Sequence, residues 1–395
     1  MNWILFDDDS WNTLLPLTFT RPVAKIRIGI LTISEKWERL LNQKVSFLTA
    51  GYLSEKYPLV KEKENVLING SVLPTGSLLD EIKTLKEGEA LVQGEKVIAA
   101  RLSEARLDSF DYHDPKPCSK VEAKSQFVSI QFPWQIFQFN SDALIADFRV
   151  LTEGRKSMYL SQTNRFYRTD NIFLEEGAKV EFATLNSKEG PIYIGKDAEI
   201  MEGAVVRGPL ALCDHSVIKV SAKIYEGTTI GPHCKVGGEV GNSVIFGYTN
   251  KAHDGYLGNA VLGEWCNLGA DSNNSNLKNN YADVRLWSYP ENKFINTGLQ
   301  FCGLIMGDNS KCGINTMFNT GTVVGVNANI FGSGFPRNFI PDFSWGGAQG
   351  FTTYSLNTAC EVAQRVMIRR NIQFDETEEK ILKHIFEITQ KYRTF

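Results

Sequence analysis

Three consecutive carboxylates, Asp7 to Asp9, directly follow the apolar run from Trp3 to Phe6. Carboxylate oxygens are hard ligands of the kind that Mg²⁺ prefers, so Asp7 and Asp8 are candidate metal ligands. A short acidic cluster after a strand is also often a solvated loop, and three negative charges repel an anionic ligand unless a metal intervenes. Both interpretations stay open from the residues alone.

His253 is the second residue whose type could support chemistry. It lies in the segment Asn250 to Gly258, which is followed by the segment Glu264 to Ala270. A neutral imidazole titrates near neutral pH and can take a proton during group transfer, although a single histidine can equally be a surface residue. Two other histidines, His215 and His233, lie inside a regular repeat and are interpreted as wall residues.

Alternating strands and helices are predicted over the first 150 residues. Apolar runs predict buried strands, and helical spacing of apolar residues predicts three helices. The strands are Trp3 to Phe6, Val45 to Thr49 and Val66 to Ile68, and the helices are Ser34 to Leu41, Ser77 to Leu85 and Trp134 to Leu151. This alternation favours an open α/β sheet, in which ligands bind beyond the carboxyl ends of the strands. We therefore expect a site at the loops after Phe6 and Ile68.

A six-residue period begins after about Asn171 and indicates a parallel β-helix. Its apolar positions are Ile194, Ile200, Val206, Leu212, Ile218, Ile224, Ile230 and Val236. Gly and Asn adopt the backbone angles of the corners at least cost, which accounts for their excess in this half. The segment Asp271 to Asn296 departs from the period and is predicted to be a loop excluded from the coil.

Two amphipathic helices are predicted in the tail, from Leu356 to Arg369 and from Glu378 to Tyr392. A solenoid end exposes strand edges, so we expect these helices to form a cap or a subunit contact. The predicted domains are residues 1–170, 171–346 and 347–395.

The composition limits the function classes. The 395 residues include 42 Lys and Arg against 45 Asp and Glu, and the net charge of −3 argues against a nucleic-acid binder, which needs a basic face. No apolar run approaches the roughly 20 residues that span a bilayer, and the first residues are acidic where a signal peptide is basic. We expect a cytoplasmic protein without membrane contact.

The stretch from Leu5 to Lys25 resembles the start of the sugar-1-phosphate nucleotidylyltransferases, through Pro16-Leu17-Thr18, Arg21-Pro22 and Lys25. Asp7 to Asn12 replaces that family's Gly-rich loop, and Ser71 replaces the metal-binding Asp of its Asn-Gly-Asp motif. The resemblance implies a Rossmann-like domain that binds a sugar phosphate and an NTP or nucleotide sugar through Arg21, Lys25 and Asn69. It implies Mg²⁺ if this domain is active.

His253-x-x-Tyr256-x-Gly258, followed one coil later by Asn267-x-Gly269-Ala270, resembles the acetyltransferase domain of the GlmU-like bifunctional family. These proteins are N-acetylglucosamine-1-phosphate uridylyltransferases and glucosamine-1-phosphate acetyltransferases. The resemblance implies a left-handed β-helix of hexapeptide repeats, acetyl-CoA as cosubstrate and a homotrimer with CoA between prisms.

The same resemblance implies roles for individual residues. His253 would be the general base for the sugar amine, and Tyr256 and Asn267 would contact the sugar phosphate. Asn276 would hold the sugar or the thioester end of the CoA, and Arg337 would meet the phosphates of CoA. The basic residues that the family places before the histidine are replaced here by Tyr225 and Val244-Ile245-Phe246, so Lys251 or Lys219 would have to hold the substrate phosphate instead.

We therefore expect a sugar-phosphate transferase that N-acetylates an amino-sugar 1-phosphate, transfers a nucleotidyl group to a sugar 1-phosphate, or does both. The alternative is a non-catalytic protein that binds sugar nucleotides or regulates through degenerate sites.

Overall fold

The computed structural model describes residues 1–115 and 118–395 and divides into two compact units. The N-terminal unit comprises Met1–Leu14, Thr20–Ile26 and Leu31–Phe132. The C-terminal unit comprises Leu15–Phe19, Arg27–Ile30 and Pro133–Phe395. The helices that follow Phe132 thus belong to the C-terminal unit, and the domain boundary at residue 170 stays a prediction.

The N-terminal unit is built on a six-stranded mixed sheet of order β2-β1-β3-β5-β4-β6. Its strands are β1 (Asn2–Phe6), β2 (Ser46–Leu48), β3 (Glu64–Asn69), β4 (Glu89–Gln93), β5 (Lys96–Ser103) and β6 (Ser119–Glu122). Its helices are α1 (Ser10–Thr13), α2 (Ile33–Leu41), α3 (Gly76–Thr84) and α4 (Glu104–Leu107), with 3₁₀ turns at Val23–Lys25 and Gly51–Leu53.

The carboxyl ends of β1 and β3 lie side by side in this sheet. The two strands pair in parallel, with Phe6 opposite Asn69. The loops after Phe6 and Ile68 therefore meet at one edge, as predicted.

The C-terminal unit is a parallel β-helix, which confirms the predicted fold class. All eight apolar positions of the six-residue period are buried at 0 or 1% exposure, from Ile194 to Val236. They point into the prism and form one continuous apolar core along the coils. Each face of the prism is a stack of parallel strands, as expected for a solenoid in which each coil contacts only its neighbours.

The strands of the β-helix are grouped by face as follows. The first face stacks Arg165–Tyr167, Thr184–Asn186, Val205–Arg207, Lys223–Ile224, Glu239–Gly241 and Tyr256–Gly258. The second face stacks Ile172–Leu174, Ile192–Ile194, Leu210–Leu212, Thr228–Ile230, Val244–Ile245, Val261–Leu262, Ile305–Met306, Val323–Val324 and Phe339–Ile340. The third face stacks Lys179–Val180, Glu199–Ile200, Val217–Ile218, Lys235–Val236, Asn250–Lys251, Asn267–Leu268, Lys311–Cys312, Asn329–Ile330, Ser344–Gly347 and Gly350–Thr353.

The excluded loop predicted from Asp271 to Asn296 begins later than predicted. Val261–Leu262 pairs directly with Ile305–Met306, and Asn273–Asn274 still pairs in parallel with Met317–Phe318. The chain therefore leaves the coil after Asn274, and in the excluded segment Arg285–Ser288 and Lys293–Asn296 form an antiparallel hairpin.

One corner of the prism carries non-glycine residues in the left-handed region. The φ angles of His215, His233, Tyr248 and Trp265 lie between 54° and 62°. Their rings stack from coil to coil, with centroid distances of 4.8, 4.7 and 4.1 Å in that order. The two histidines are thus corner residues of an aromatic column, and the stacking offsets part of the backbone strain.

Gly231 serves a different purpose from the one expected for a corner glycine. A Cβ atom at this position would lie 1.6 Å from the carbonyl oxygen of Phe246 on the next coil. The glycine is therefore required because successive coils approach closely there, while the left-handed corner positions beside it hold Asn, Asp or aromatic residues.

Helices flank the β-helix at both ends of its sequence. They are α5 (Pro133–Gln138), α6 (Asn140–Thr152), α7 (Leu356–Ile368) and α8 (Glu376–Ile388), with 3₁₀ turns at Thr169–Asn171 and Gln390–Tyr392. The single helix predicted from Trp134 to Leu151 is two helices that meet at Phe139. Across residues 1–115 and 118–395, every helix is too short or too polar to cross a bilayer.

Asn140 explains why α5 and α6 belong to the C-terminal unit. Its buried side chain accepts from the N–H of Gly29 at 2.7 Å and donates to the carbonyl of Gly227 at 2.8 Å and to the Thr229 hydroxyl at 3.0 Å. One amide thus ties the start of α6 to a coil of the β-helix.

Candidate functional site

His253 lies on the exposed turn between the strands Asn250–Lys251 and Tyr256–Gly258. The turn is held from beneath by Lys251, whose Nζ donates to the carbonyl of His253 at 2.6 Å and to that of Asp254 at 3.1 Å. Two hydrogen bonds from one ammonium to adjacent carbonyls fix the backbone that carries the imidazole.

Lys251 therefore does not occupy the predicted place of a phosphate ligand. It pairs with Val236 of the preceding coil, at an inward position of the prism, and is only 1% exposed. Its aliphatic stem takes the place of an interior apolar residue, while burial lowers the pKa of its ammonium to about 8. The structure makes Lys251 a positioning residue of the His253 turn.

His253 and Asn267 line the same cavity, which we call the His253 cavity and which has a volume of about 440 Å³. Asn267 is exposed on the third face, where it pairs with Asn250 on one side and Lys311 on the other. The remaining polar and aromatic lining consists of Lys235, Tyr248, Asn250, Trp265, Lys311, Arg369 and Arg370. Two predicted site residues are thus brought together beside several cations.

Tyr256 and Asn276 form a second pair of predicted residues. The amide of Asn276 donates to the Tyr256 hydroxyl at 3.0 Å and to Asn259 Oδ1 at 2.8 Å. Burial raises the pKa of Tyr256, although the hydrogen bond from Asn276 opposes this shift. Neither residue lines the His253 cavity, so the structure separates this pair from Asn267.

Arg337 lines a different cavity, of about 750 Å³, which we call the Arg337 cavity. Three other cationic side chains and four aromatic rings line it as well. They are Lys278, Arg285, Lys391, Trp287, Phe294, Phe339 and Tyr392. Among the described residues, no carboxylate lines it. The guanidinium of Arg337 lies 5.5 Å from the ring centroid of Phe351 and 5.8 Å from that of Phe395.

Asp7 in the N-terminal unit has protein partners on both carboxylate oxygens. Oδ1 accepts from the N–H of Val23 at 2.9 Å, and Oδ2 accepts from the hydroxyl of Thr49 at 2.5 Å. Desolvation raises the pKa of Asp7 to about 7 in spite of these hydrogen bonds. Each carboxylate oxygen of Asp7 thus has a hydrogen-bond donor within the protein.

Asp8 is neutralised by a lysine that the sequence analysis did not identify. Its Oδ2 lies 3.3 Å from Lys96 Nζ and accepts from Asn69 Nδ2 at 2.8 Å. Burial alone would raise the pKa of Asp8, but the charge of Lys96 and these hydrogen bonds hold it below the usual value. Lys96 also donates to the hydroxyls of Ser129 at 2.6 Å and Ser71 at 3.1 Å.

The predicted Mg²⁺ site at Asp7 and Asp8 does not fit this arrangement. The ammonium of Lys96 supplies positive charge at Asp8, and Asp7 is engaged with Val23 and Thr49. In the described part of the chain, no three His, Cys, Asp or Glu side chains are grouped so that they could hold a metal ion.

The remaining predicted residues of this unit lie near the same edge but are largely enclosed. Arg21 is 3% exposed, and Lys25 places its Nζ 5.0 Å from the ring centroid of Phe47. Asn69 is fully buried, and its oxygen accepts from the backbone N–H and hydroxyl of Ser71 at 3.0 and 2.7 Å. Their substrate-binding roles remain predictions.

The sequence analysis did not identify several residues of these sites. Lys96, Lys235 and Lys311 are single lysines in strands, without a local signal. Arg369 and Arg370 follow α7, and a basic pair at the end of an amphipathic helix could have suggested them.

Comparisons with known proteins agree with the resemblances found in the sequence. Residues 3–156 match the family model described as sugar nucleotidyl transferase. The chain is 32% identical over 120 residues to the bifunctional protein GlmU of Methanocaldococcus jannaschii, covering 30% of this chain and 26% of that protein. It is 26% identical over 213 residues to a bifunctional sugar-1-phosphate nucleotidylyltransferase/acetyltransferase of Sulfurisphaera tokodaii, covering 53% of this chain and 46% of that protein.

The matched segments span less than half the length of these relatives. Among solved structures, the UDP-N-acetylglucosamine acyltransferase of Campylobacter jejuni aligns over 58% of this chain and 96% of its own, at 11% identity and a TM-score of 0.31. The fold of the chain follows from the strand pairing described above. The resemblance to the GlmU-like bifunctional proteins is confirmed by the relatives, and residues 3–156 are similar to the sugar nucleotidyl transferase family.

Proposed function

We propose that the C-terminal unit is an acyltransferase that acetylates the amino group of an amino-sugar 1-phosphate with acetyl-CoA. The observation that carries this proposal is the exposed His253, held by Lys251 over a cavity that it shares with Asn267. A general base needs this combination of a fixed backbone and an open side to which a substrate can come. The acetyltransferase named for the Sulfurisphaera tokodaii relative supports the same reaction class.

The reaction requires one proton acceptor and no covalent intermediate on the protein. The sugar nitrogen attacks the thioester carbonyl carbon, and His253 takes the proton that the nitrogen loses. The C–S bond then breaks, and the CoA thiolate leaves and is protonated to the free thiol. Asn267 offers an amide in the same cavity to orient the sugar.

Acetyl-CoA would place its phosphates in the Arg337 cavity. Four cations without a lining carboxylate suit phosphates, and four aromatic rings suit the adenine base. Because the Arg337 and His253 cavities have different linings, we propose a homotrimer in which one protomer's Arg337 cavity serves its neighbour's His253. Exposed apolar side chains on the prism, Val220, Ile314, Phe331 and Phe335, support such self-association.

The direct test is the release of free CoA from acetyl-CoA with a panel of amino-sugar 1-phosphates. We expect turnover with at least one member. A His215→Ala variant should keep this activity, since His215 belongs to the corner column and does not line the His253 cavity. An absence of turnover across the whole panel, with folded trimeric protein, would refute the proposal.

A second function is proposed for the N-terminal unit, namely binding of a sugar nucleotide without metal-dependent turnover. It is favoured by the ion pair between Asp8 and Lys96, which leaves this edge without a Mg²⁺ site. Calorimetry should then detect a nucleotide sugar equally well with Mg²⁺ and with EDTA. Pyrophosphate release from an NTP and a sugar 1-phosphate that requires both Mg²⁺ and Lys25 would establish nucleotidyl transfer instead.

A further inference from the structure

Four cationic side chains from two distant parts of the chain converge on the His253 cavity. Lys235 and Lys311 come from the third face of the β-helix, and Arg369 and Arg370 follow the last turn of α7. Among the described residues, no aspartate or glutamate lines this cavity. Throughout residues 1–115 and 118–395, none of these four cations has a carboxylate within ion-pair distance.

Two of these cations have neutral partners in the described part of the protein. Lys311 donates to the carbonyl of Asn309 at 2.8 Å, and Arg370 donates to Asn250 Oδ1 at 3.2 Å. Burial lowers the pKa of Lys311 to about 8, which reflects the cost of holding its charge there. Lys311 and Arg370 are partly buried and Lys235 and Arg369 are exposed, and a cationic cluster of this kind without counterions forms a site that an anion would stabilise.

The helix dipole accounts for only part of this cluster. Basic residues are favoured near the C-terminal end of a helix, which applies to Arg369 and Arg370. It does not apply to Lys235 and Lys311, which lie on strands that face the helix end across the cavity. A shared ligand explains both pairs.

We propose that Arg369 and Arg370, together with Lys235 and Lys311, bind the phosphate of the acyl acceptor beside His253. This inference rests on the proposed acyltransferase function and adds the residues that select its substrate. Guanidinium groups can contact phosphate oxygens in bidentate fashion, and the lysines add point charges from the opposite wall. Helix α7 is then part of the substrate site, and not only the cap expected from the sequence.

The aromatic corner gives the same cavity a wall for a sugar ring. Tyr248 and Trp265 are stacked at 4.1 Å and both line the cavity beside Asn267. An apolar wall next to an amide and a cationic end suits a sugar that carries one anionic substituent. The phosphate could belong to a sugar 1-phosphate or to a nucleotide-linked sugar.

The test is calorimetry of the full-length protein without acetyl-CoA. The probes are an amino-sugar 1-phosphate, the same amino sugar without phosphate, and a nucleoside-diphosphate amino sugar. We expect the phosphorylated sugar to bind at least about tenfold more tightly than its parent, and Arg369→Gln/Arg370→Gln to remove most of that difference. The tighter of the two phosphorylated probes identifies the source of the phosphate.

Two further variants keep the result interpretable. Arg365→Gln is the matched control, because Arg365 lies on α7 but is exposed and paired with Glu361. Lys235→Gln changes an exposed cation on a strand and should weaken phosphate binding without affecting folding. Equal binding of the phosphorylated and unphosphorylated sugars, or unchanged phosphate binding in both cavity variants, would overturn the proposal. Because no acyl donor is present, phosphate-dependent binding without later turnover would refute the acyltransferase function and leave this site standing.

Discussion

The ammonium of Lys251 donates to the backbone carbonyl of His253 at 2.6 Å from inside the β-helix. The lysine stem is buried among interior residues, while its charged end reaches the turn above. The imidazole that we assign as general base is therefore anchored through its own backbone by a residue that does not face the substrate.

We predict that Lys251→Met lowers kcat of acetyl transfer about 10- to 100-fold and leaves both KM values nearly unchanged. Methionine fills the interior, but the carbonyls of His253 and Asp254 lose their donor, so the imidazole is less well placed. Steady-state kinetics with both substrates measures this separation of kcat from KM.

Lys223→Met is the control for that experiment. Lys223 lies on the first face of the same prism but is exposed and paired with Glu239. Its replacement should change neither constant. A Lys251→Met protein that unfolds more readily but retains full kcat would show that Lys251 is structural only.

The affinity of the His253 cavity for phosphate should fall as the pH rises through about 8. The pKa of Lys311 is lowered to about 8 by burial, so the side chain is charged below this pH and neutral above it. Only the charged form attracts the anion, and one pH unit above the pKa reduces the affinity by at most about tenfold. Calorimetric titration with the sugar phosphate at pH 7 and pH 9 measures whether the affinity falls as predicted.

Lys311→Arg tests whether the charge of Lys311 carries this pH dependence. Arginine keeps its charge across this range, so the variant should lose most of the pH dependence. If the variant and the natural protein lose affinity equally between pH 7 and pH 9, Lys311 does not carry the effect.

Lys96→Met should destabilise the N-terminal unit by about 2 kcal/mol. The change leaves the Asp8 carboxylate without its cation in a site where side-chain exposures are 10% for Asp8 and 26% for Lys96. Hydrogen exchange on peptides from this unit reports the loss without interference from the β-helix.

The double variant Asp8→Asn/Lys96→Met should recover much of that stability, because it removes both charges together. Lys61→Met, which breaks an exposed pair with Asp108, should have little effect. If the amide hydrogens of this unit exchange as slowly in Lys96→Met as in the natural protein, the Asp8–Lys96 pair contributes nothing to stability.

Gly231→Ala should disrupt the β-helix and cost at least about 3 kcal/mol. The added Cβ would lie 1.6 Å from the carbonyl oxygen of Phe246, and backbone on both coils would have to move apart. Thermal unfolding followed by circular dichroism measures the change. The control is Gly76→Ala at the start of α3, where a Cβ would meet nothing within 4 Å. Equal melting temperatures for the two variants would contradict the conclusion that the close approach of successive coils requires glycine at position 231.

The sequence predicted the features of the fold that follow from local spacing. The six-residue period is strict because each face has one inward position, and Ile194 to Val236 all occupy it. The meeting of the loops after Phe6 and Ile68 was also predictable, since neighbouring parallel strands end at one edge.

The sequence did not predict arrangements that depend on distant residues. Lys251 interrupts the apolar pattern, so its inward position was hidden. Lys235, Lys311 and Arg370 are far apart in sequence and meet only because stacked coils and the returning α7 bring them together. Asp8 was interpreted without Lys96, whose strand reaches it only across the sheet.

The most direct test of the central claim is mass-spectrometric detection of the N-acetylated sugar phosphate formed by the natural protein and by His253→Ala. We predict that the natural protein transfers the acetyl group to the sugar nitrogen and that the variant does so at least about 100-fold more slowly. The variant should bind the sugar phosphate with little change, because the four cations of the cavity remain. Acetylation at an undiminished rate by His253→Ala would contradict the assignment of His253 as the general base.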